Sequence, residues 1–316
     1  MSSERRREET RGLRQLFQEQ WQHFINILER SGVEPSARQL DTQIDAGEVL
    51  ASIETMIEGT DRRIRALGNY KKRLRETVAW MLEYIDKAVT CLPEATLIDK
   101  NSFSSNPEVN AVFVNYEDIK FIFSHSIELQ KFFSEVENTS CDEVYAVLLT
   151  NKNEKNILGK IIDNDMLVSD VKQVSVNFSA HNIVAPSKDE ETLRSKLKTY
   201  AFNEIITYVS AHMTQLRHEQ CEGKQNLTAE ESINSVCNPQ VYIDKLISML
   251  NIPNTMLVCE KTPLRLNKMG IVADENSTET LNEFIAHEFK IGSQPARVVS
   301  LVRYPKSEMD QKIELL

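Results

Sequence analysis

Apolar residues in the first ninety positions recur at helical spacing, and the recurrence stops where glycine and capping residues stand. Leu13, Leu16, Phe17, Trp21, Phe24, Ile25 and Leu28 form one stripe, and Gly32 is placed to end that helix. Ser36-Ala37-Arg38-Gln39 is a capping box, so a second helix starts near Ala37. Its stripe is Leu40, Ile44, Leu50, Ile53 and Ile57, with Gly59 at its end. A third helix is expected from Asp61 to Val89, about 40 Å long, with Ile64, Leu67, Leu74, Val78, Met81, Leu82 and Ile85 inward. Three amphipathic helices with short links predict an antiparallel bundle or a coiled-coil hairpin. So thin a bundle has little core, so part of its stripe is expected to meet another copy or another protein.

From residue 143 the period changes. Val144 to Leu149 is apolar on both sides of a period-2 strand, which predicts burial on both faces. The polar segment 151–156 reads as a hairpin loop, and Ile157, Leu158, Ile161 and Ile162 as the returning strand. Asp163-Asn164-Asp165 is the next turn. Beyond it Val174, Val176 and Phe178 form the apolar face of a half-buried strand. By period 2, Ala180 shares that face and His181 takes the other.

The rest of the chain is read the same way. Residues 91–107 mix Pro, Ser and Asn and mark a domain boundary. Val109 to Val114 reads as a strand, and 115–133 as short helices. Ser187-Lys188-Asp189-Glu190 opens a long helix to about Gln220. A box at Thr228 starts a short helix, and Asn238-Pro239 starts another to Leu250. Met256 to Glu260 and Leu264 to Ile271 read as strands, Glu279 to Phe289 as a helix, and Arg297 to Tyr304 as a final strand. Strands and helices in segregated blocks predict an α+β fold. The expected organisation is a helical bundle or coiled-coil domain over 1–95, then a mixed α+β domain over 96–316 with a central, largely antiparallel sheet.

Charge sharpens this picture. The net charge is −10, from 37 Lys and Arg against 47 Asp and Glu. Residues 1–90 hold 15 of each sign, so the whole deficit lies in 91–316. An acidic domain is poorly suited to gripping a phosphate backbone over a broad face. No apolar run approaches the ~20 residues that span a bilayer, and no apolar stretch follows the basic N-terminus. Neither a signal peptide nor a membrane anchor is expected. Five widely spaced cysteines fit reduced thiols in the cytoplasm better than a disulfide frame.

Three groups of residues carry candidate chemistry. Asp163, Asp165, Asp170 and Lys172 form an acidic cluster. Asp170-Val171-Lys172 has the D-x-K form in which carboxylates hold a divalent cation and a lysine helps to activate water. Turn and strand-edge roles explain the same residues. His181, in Phe-Ser-Ala-His-Asn, stands where a side chain reaches a cleft and is the candidate base. The third group is the run Arg62, Arg63, Arg65, Lys71, Lys72, Arg73 and Arg75. It suits nucleic acid or an acidic protein surface, including this chain's own C-terminal part, although Glu58, Asp61 and Glu76 bracket it. No phosphate-binding glycine loop, nucleophile elbow or zinc-ligand spacing is present.

These readings lead to a cytoplasmic, non-catalytic interaction or regulatory protein that needs no cofactor. Its N-terminal helices would mediate self-association or partner docking. The alternative is a metal-dependent hydrolase or nuclease acting through Asp163, Asp170 and Lys172. A second alternative is nucleic-acid binding through the basic run.

Overall fold

Short polar side chains open most of the helices and fix where each begins. The structure, a computed structural model, describes residues 44–163, 166–222, 238–273 and 280–310. The chain divides into two units, residues 1–42 and 43–316, and every described residue belongs to the second. The first expected helix, the start of the second and the capping box at Thr228 lie outside the described residues.

Helix α1 (Ala46–Gly59) starts at Asp45, whose carboxylate accepts from the Gly47 amide at 2.9 Å. The expected third helix is two pieces. A 3-10 turn (Arg62–Ala66) is capped by Asp61, Leu67 is extended, and helix α2 (Tyr70–Thr90) begins after Asn69. Gly68 and the Asp61 cap together interrupt the helical ladder that the apolar spacing alone would have run through. A two-residue strand, β1 (Thr96–Leu97), follows, and then four short helices. These are α3 (Lys100–Ser105), α4 (Pro107–Val112), α5 (Tyr116–Ser124) and α6 (Ile127–Ser134). Within the segment 91–107, β1 pairs in parallel with the last strand. The strand expected at 109–114 is helix α4. Asn106 caps it by accepting from Glu108 and Val109, and Pro107 pre-sets its first turn.

The sheet is built on one very long hairpin. Strand β2 (Glu143–Asp163) runs without a break through the segment expected to be a loop, and β3 (Met166–Ser187) returns antiparallel to it. The polar residues 151–156 pair with 174–179 instead of turning. The chain reverses between Asp163 and Met166, which pair with each other; Asn164 and Asp165 lie outside the described residues.

Helix α7 (Glu190–Glu222) is capped by Asp189, two residues later than the box at Ser187 suggested. Helices α8 (Pro239–Leu250) and α9 (Pro253–Met256) lead to β4 (Leu257–Leu266), one strand where two were expected. The segment expected as a helix at 279–289 is strand β5 (Asn282–Ile291), and β6 (Arg297–Pro305) is the last. The order across the sheet is β3-β2-β6-β5-β4.

The sheet curls strongly. Phe178 on β3 and Phe284 on β5 meet at 6.1 Å between ring centroids, although β2 and β6 lie between them in the strand order. The loop after β4 reaches back to β3: the Val176 amide donates to Gly270 O at 2.7 Å, and the Val272 amide to Val174 O at 2.9 Å. Gly270 has φ +73°, and a Cβ there would stand 2.5 Å from the Val176 carbonyl, so the approach needs glycine.

The concave face carries Val144, Ala146, Leu148, Val176, Phe178, Leu264 and Tyr304, buried with Phe113, Ile119, Phe123 and Leu129 of the short helical region. Val147, Leu149, Val299 and Leu301 alternate with that set and are equally buried. Helix α7 lies against β2 and β3 and also meets α2. Arg194 on α7 caps the end of α2 by donating to Val89 O at 2.9 Å and Pro93 O at 2.8 Å. The fold is therefore mixed helix and strand around a curled, mainly antiparallel sheet.

Candidate functional site

The basic run spends most of its charge inside the described unit. Arg63 grips the buried Asp61 with two bonds of 2.9 and 2.7 Å and lies over the Tyr242 ring. Arg62 pairs with Glu58, Arg65 with Glu54 and Glu58, and Lys71 with Glu54 at 2.8 Å. Hydrogen bonds from Lys71 and Tyr70 hold the Glu54 carboxyl down at about 2. Arg73 pairs with Asp244 of α8. Lys72 and Arg75 are exposed, and among the described residues neither has an ion-pair partner. Five of the seven cations thus face carboxylates of their own domain.

The acidic cluster is spread along the long hairpin. Asp163 ends β2, and only its backbone is described; Asp165 lies outside the described residues. Asp170 has φ +61° and forms a bulge opposite Gly159 and Lys160. Asp170 and Lys172 are both exposed. His181 lies near the base of the hairpin, about 40 Å of strand from Asp163 at ~3.3 Å per residue. His181 thus stands at the opposite end of the hairpin from Asp163, far from Asp170 and Lys172 as well. Among the described residues no group of three or more His, Cys, Asp or Glu is close enough to hold a metal ion.

His181 does not take the face that strict alternation assigns to it. Ala180 has φ +52°, and the pairing shifts there: Leu149 faces Asn182 while Asn151 faces Ser179. The extra residue resets the parity. Ala180 is exposed, and Ile183 joins the core that holds Phe178. The His181 ring stacks on Phe113 at 5.0 Å, and its Nε2 is 3.0 Å from Val112 O. The histidine fastens α4 to the sheet.

Two polar groups that the sequence did not mark stand out. Lys152 Nζ donates to Glu288 Oε1 at 2.5 Å, and the same oxygen accepts from the Thr262 hydroxyl at 2.6 Å. The side chains of Lys152 and Glu288 are only 12% and 13% exposed. Burial works against the lysine charge, but Glu288 and Glu154 outweigh it and hold the ammonium above its ordinary pKa. In register, Thr150, Val298 and Glu288 lie abreast, so Lys152 is one step past the start of β6. The pair ties β2 to β5 where no strand lies between them. Glu108, on α4, accepts from the Ser300 hydroxyl at 2.6 Å. Burial pushes its carboxyl up, and the Ser300 bond offsets part of that. Both groups bond across elements distant in sequence. Opposite charge and hydroxyl types were visible in the sequence; their register was not.

The third feature is the hairpin itself. β2 pairs with β6 only as far as Thr150. From Asn151 to Asp163, about 40 Å of strand, its one partner among the described residues is β3, and beyond the pairing of Val174 and Val176 with the loop at 270–272 the ribbon is two-stranded. Leu158 on this ribbon is 68% exposed. Among the described residues the three non-glycine positions with positive φ, Asp170, Ala180 and Ala185, are on β3, and each coincides with a register shift. β2 has no such residue, so its outer edge is regular. No protein-family model matches this chain, and no curated protein or solved structure matches it.

Proposed function

We propose that this chain is a non-catalytic interaction or regulatory protein of the cytoplasm, and that its docking element in the described unit is the β2–β3 ribbon. The observation that carries the reading is the run of β2 beyond Thr150, paired to β3 alone. A two-stranded ribbon is marginal in water by itself, and an unpaired regular edge is a template for another strand. Such an element fits docking better than catalysis. The helical stripes of α1 and α2 support this choice in a second way. Ile53, Met56, Ile57, Leu74, Val78, Met81 and Ile85 are fully buried within the described unit, so these helices have little apolar surface to offer a partner. A docking role for the helical stripe between Leu13 and Leu28 remains part of the proposal.

Nucleic-acid binding by the basic run is less favoured, because five of its cations already neutralise Glu54, Glu58, Asp61 and Asp244. The test is a shortened ribbon in the full-length chain, with residues 157–173 replaced by Asn-Gly. Asn156 and Val174 are cross-strand partners, so a type I′ turn closes there. The shortened protein is expected to melt within a few degrees of the parent and to lose the proteins that the parent retains from a native lysate. Retention of the same proteins by both would contradict the reading.

A further inference from the structure

We infer that the outer edge of β2 pairs with the same edge of a second copy of this chain, antiparallel and centred on Ile157. This rests on the ribbon being a docking element and names its partner.

The edge itself narrows the choice. β3 cannot offer a long regular edge, because Asp170, Ala180 and Ala185 kink it and the loop at 270–272 already pairs with Val174 and Val176. β2 is continuous from Asn151 to Asp163, and no described residue pairs with that side of it. Two identical strands joined edge to edge and antiparallel must be related by a two-fold axis perpendicular to the sheet. Facing residues then share a side of the sheet, so residue i faces j only when both are odd or both even. Only registers centred on a residue are therefore possible, and they can be compared one by one.

Centred on Ile157, Glu154 faces Lys160 of the other copy, and the symmetry makes this contact twice. Ile157 faces its own copy. Lys155 faces Gly159, over which the Gln173 side chain of the same chain lies. The two exposed Leu158 side chains become diagonal neighbours on one face, which removes apolar surface from water. Centred on Lys155, two lysines face each other. Centred on Asn156, Lys152 faces Lys160. Centred on Leu158, Glu154 and Lys160 face Ile162 and Asn156 and lose their complement. Glu154 and Lys160 are both exposed. Glu154 is held by Lys152 at 3.1 Å within its own chain, and Lys160 has no ion-pair partner among the described residues. Among these registers the charge pattern favours the one centred on Ile157, and one centred on Asn153, which sets Glu154 against Lys152, pairs far less of the strand.

Sedimentation velocity over a concentration series tests this on the full-length chain, with Glu154→Lys, Lys160→Glu and the double exchange. The parent is expected to dimerise. Each single exchange sets like charges opposite each other twice and should weaken the dimer about tenfold or more. The double exchange restores opposite charges across the interface without restoring the Lys152–Glu154 contact, so recovery of the dimer identifies the contact as one between chains. Circular dichroism confirms that each variant is folded. A parent that stays monomeric, or a dimer indifferent to the single exchanges, would overturn the inference. If the parent is monomeric and the shortened ribbon still loses a different protein, self-pairing is wrong and the docking reading stands.

Discussion

Glu108 shows how one side chain can make the stability of this fold depend on pH. It stands half-buried in the first turn of α4, and among the described residues its carboxylate accepts a single bond, from Ser300. Burial disfavours the carboxylate, so the folded protein holds the Glu108 proton more tightly than the unfolded chain does. A group of this kind contributes its full stability below the unfolded value of about 4.5 and loses it as pH climbs through the higher folded value. Glu108→Gln, which mimics the protonated form, should therefore leave stability near its parent value below that point and raise it at neutral pH. Urea denaturation at pH 4 and pH 8 measures both; a variant less stable than the parent at pH 8 would show that the carboxylate is the favoured form. Lys152 and Glu288 behave differently. They neutralise each other, and Thr262 donates to the same Glu288 oxygen, so each charge depends on its partner.

At the scale of the element, the bulges of β3 decide what each side chain does. Without the extra residue at Ala180, His181 would turn away from α4, as alternation along the strand suggested. With it, His181 lies on Phe113, and Phe178 stays in the core. Phe178→Ala should cost about 3–5 kcal/mol, and His181→Ala about 1–2 kcal/mol through the lost bond and stacking. Thermal melts of the two variants rank them; equal costs would mean that the parity assigned here is wrong.

How much of this was readable follows from the same elements. The concave face of β3 was legible, because Val174, Val176 and Phe178 alternate within a short stretch. The bulge was not, since nothing in Ser-Ala-His-Asn marks a left-handed alanine. The polar residues at 151–156 suggest a loop, yet Glu154, Lys155 and Asn156 are exposed strand positions and Lys152 is held by Glu288, so polarity there reflects exposure and an ion pair and not a turn. β5 reads as a helix from sequence because Ile285, Ala286 and Phe289 follow helical spacing, whereas its pairing with β4 along its whole length makes it a strand. Helix α4 was announced by Asn106-Pro107, the same signal that located α8 at Asn238-Pro239, but the β-branched run after it argued more loudly for a strand. Lys152 and Glu288 stand 136 positions apart, so only strand register could join them.

For the whole molecule, the division of labour is between a closed body and an open arm. The body is a curled sheet whose first and last strands are joined through Gly270, with helices packed on it. Five of the seven cations between Arg62 and Arg75 pair with its own carboxylates. The arm is the remainder of the β2–β3 hairpin. It has one regular edge with no described partner and one edge broken by Asp170. Hydrogen exchange at the amides of residues 151–160 reads that edge directly. At low protein concentration, alternate amides, those pointing away from β3, should exchange fast while their neighbours bonded to β3 are protected. At high concentration the fast set should become protected as the edge is covered. Uniform protection at every concentration would mean that the edge is already paired within the chain, and unchanged fast exchange at high concentration would mean that no second copy covers it.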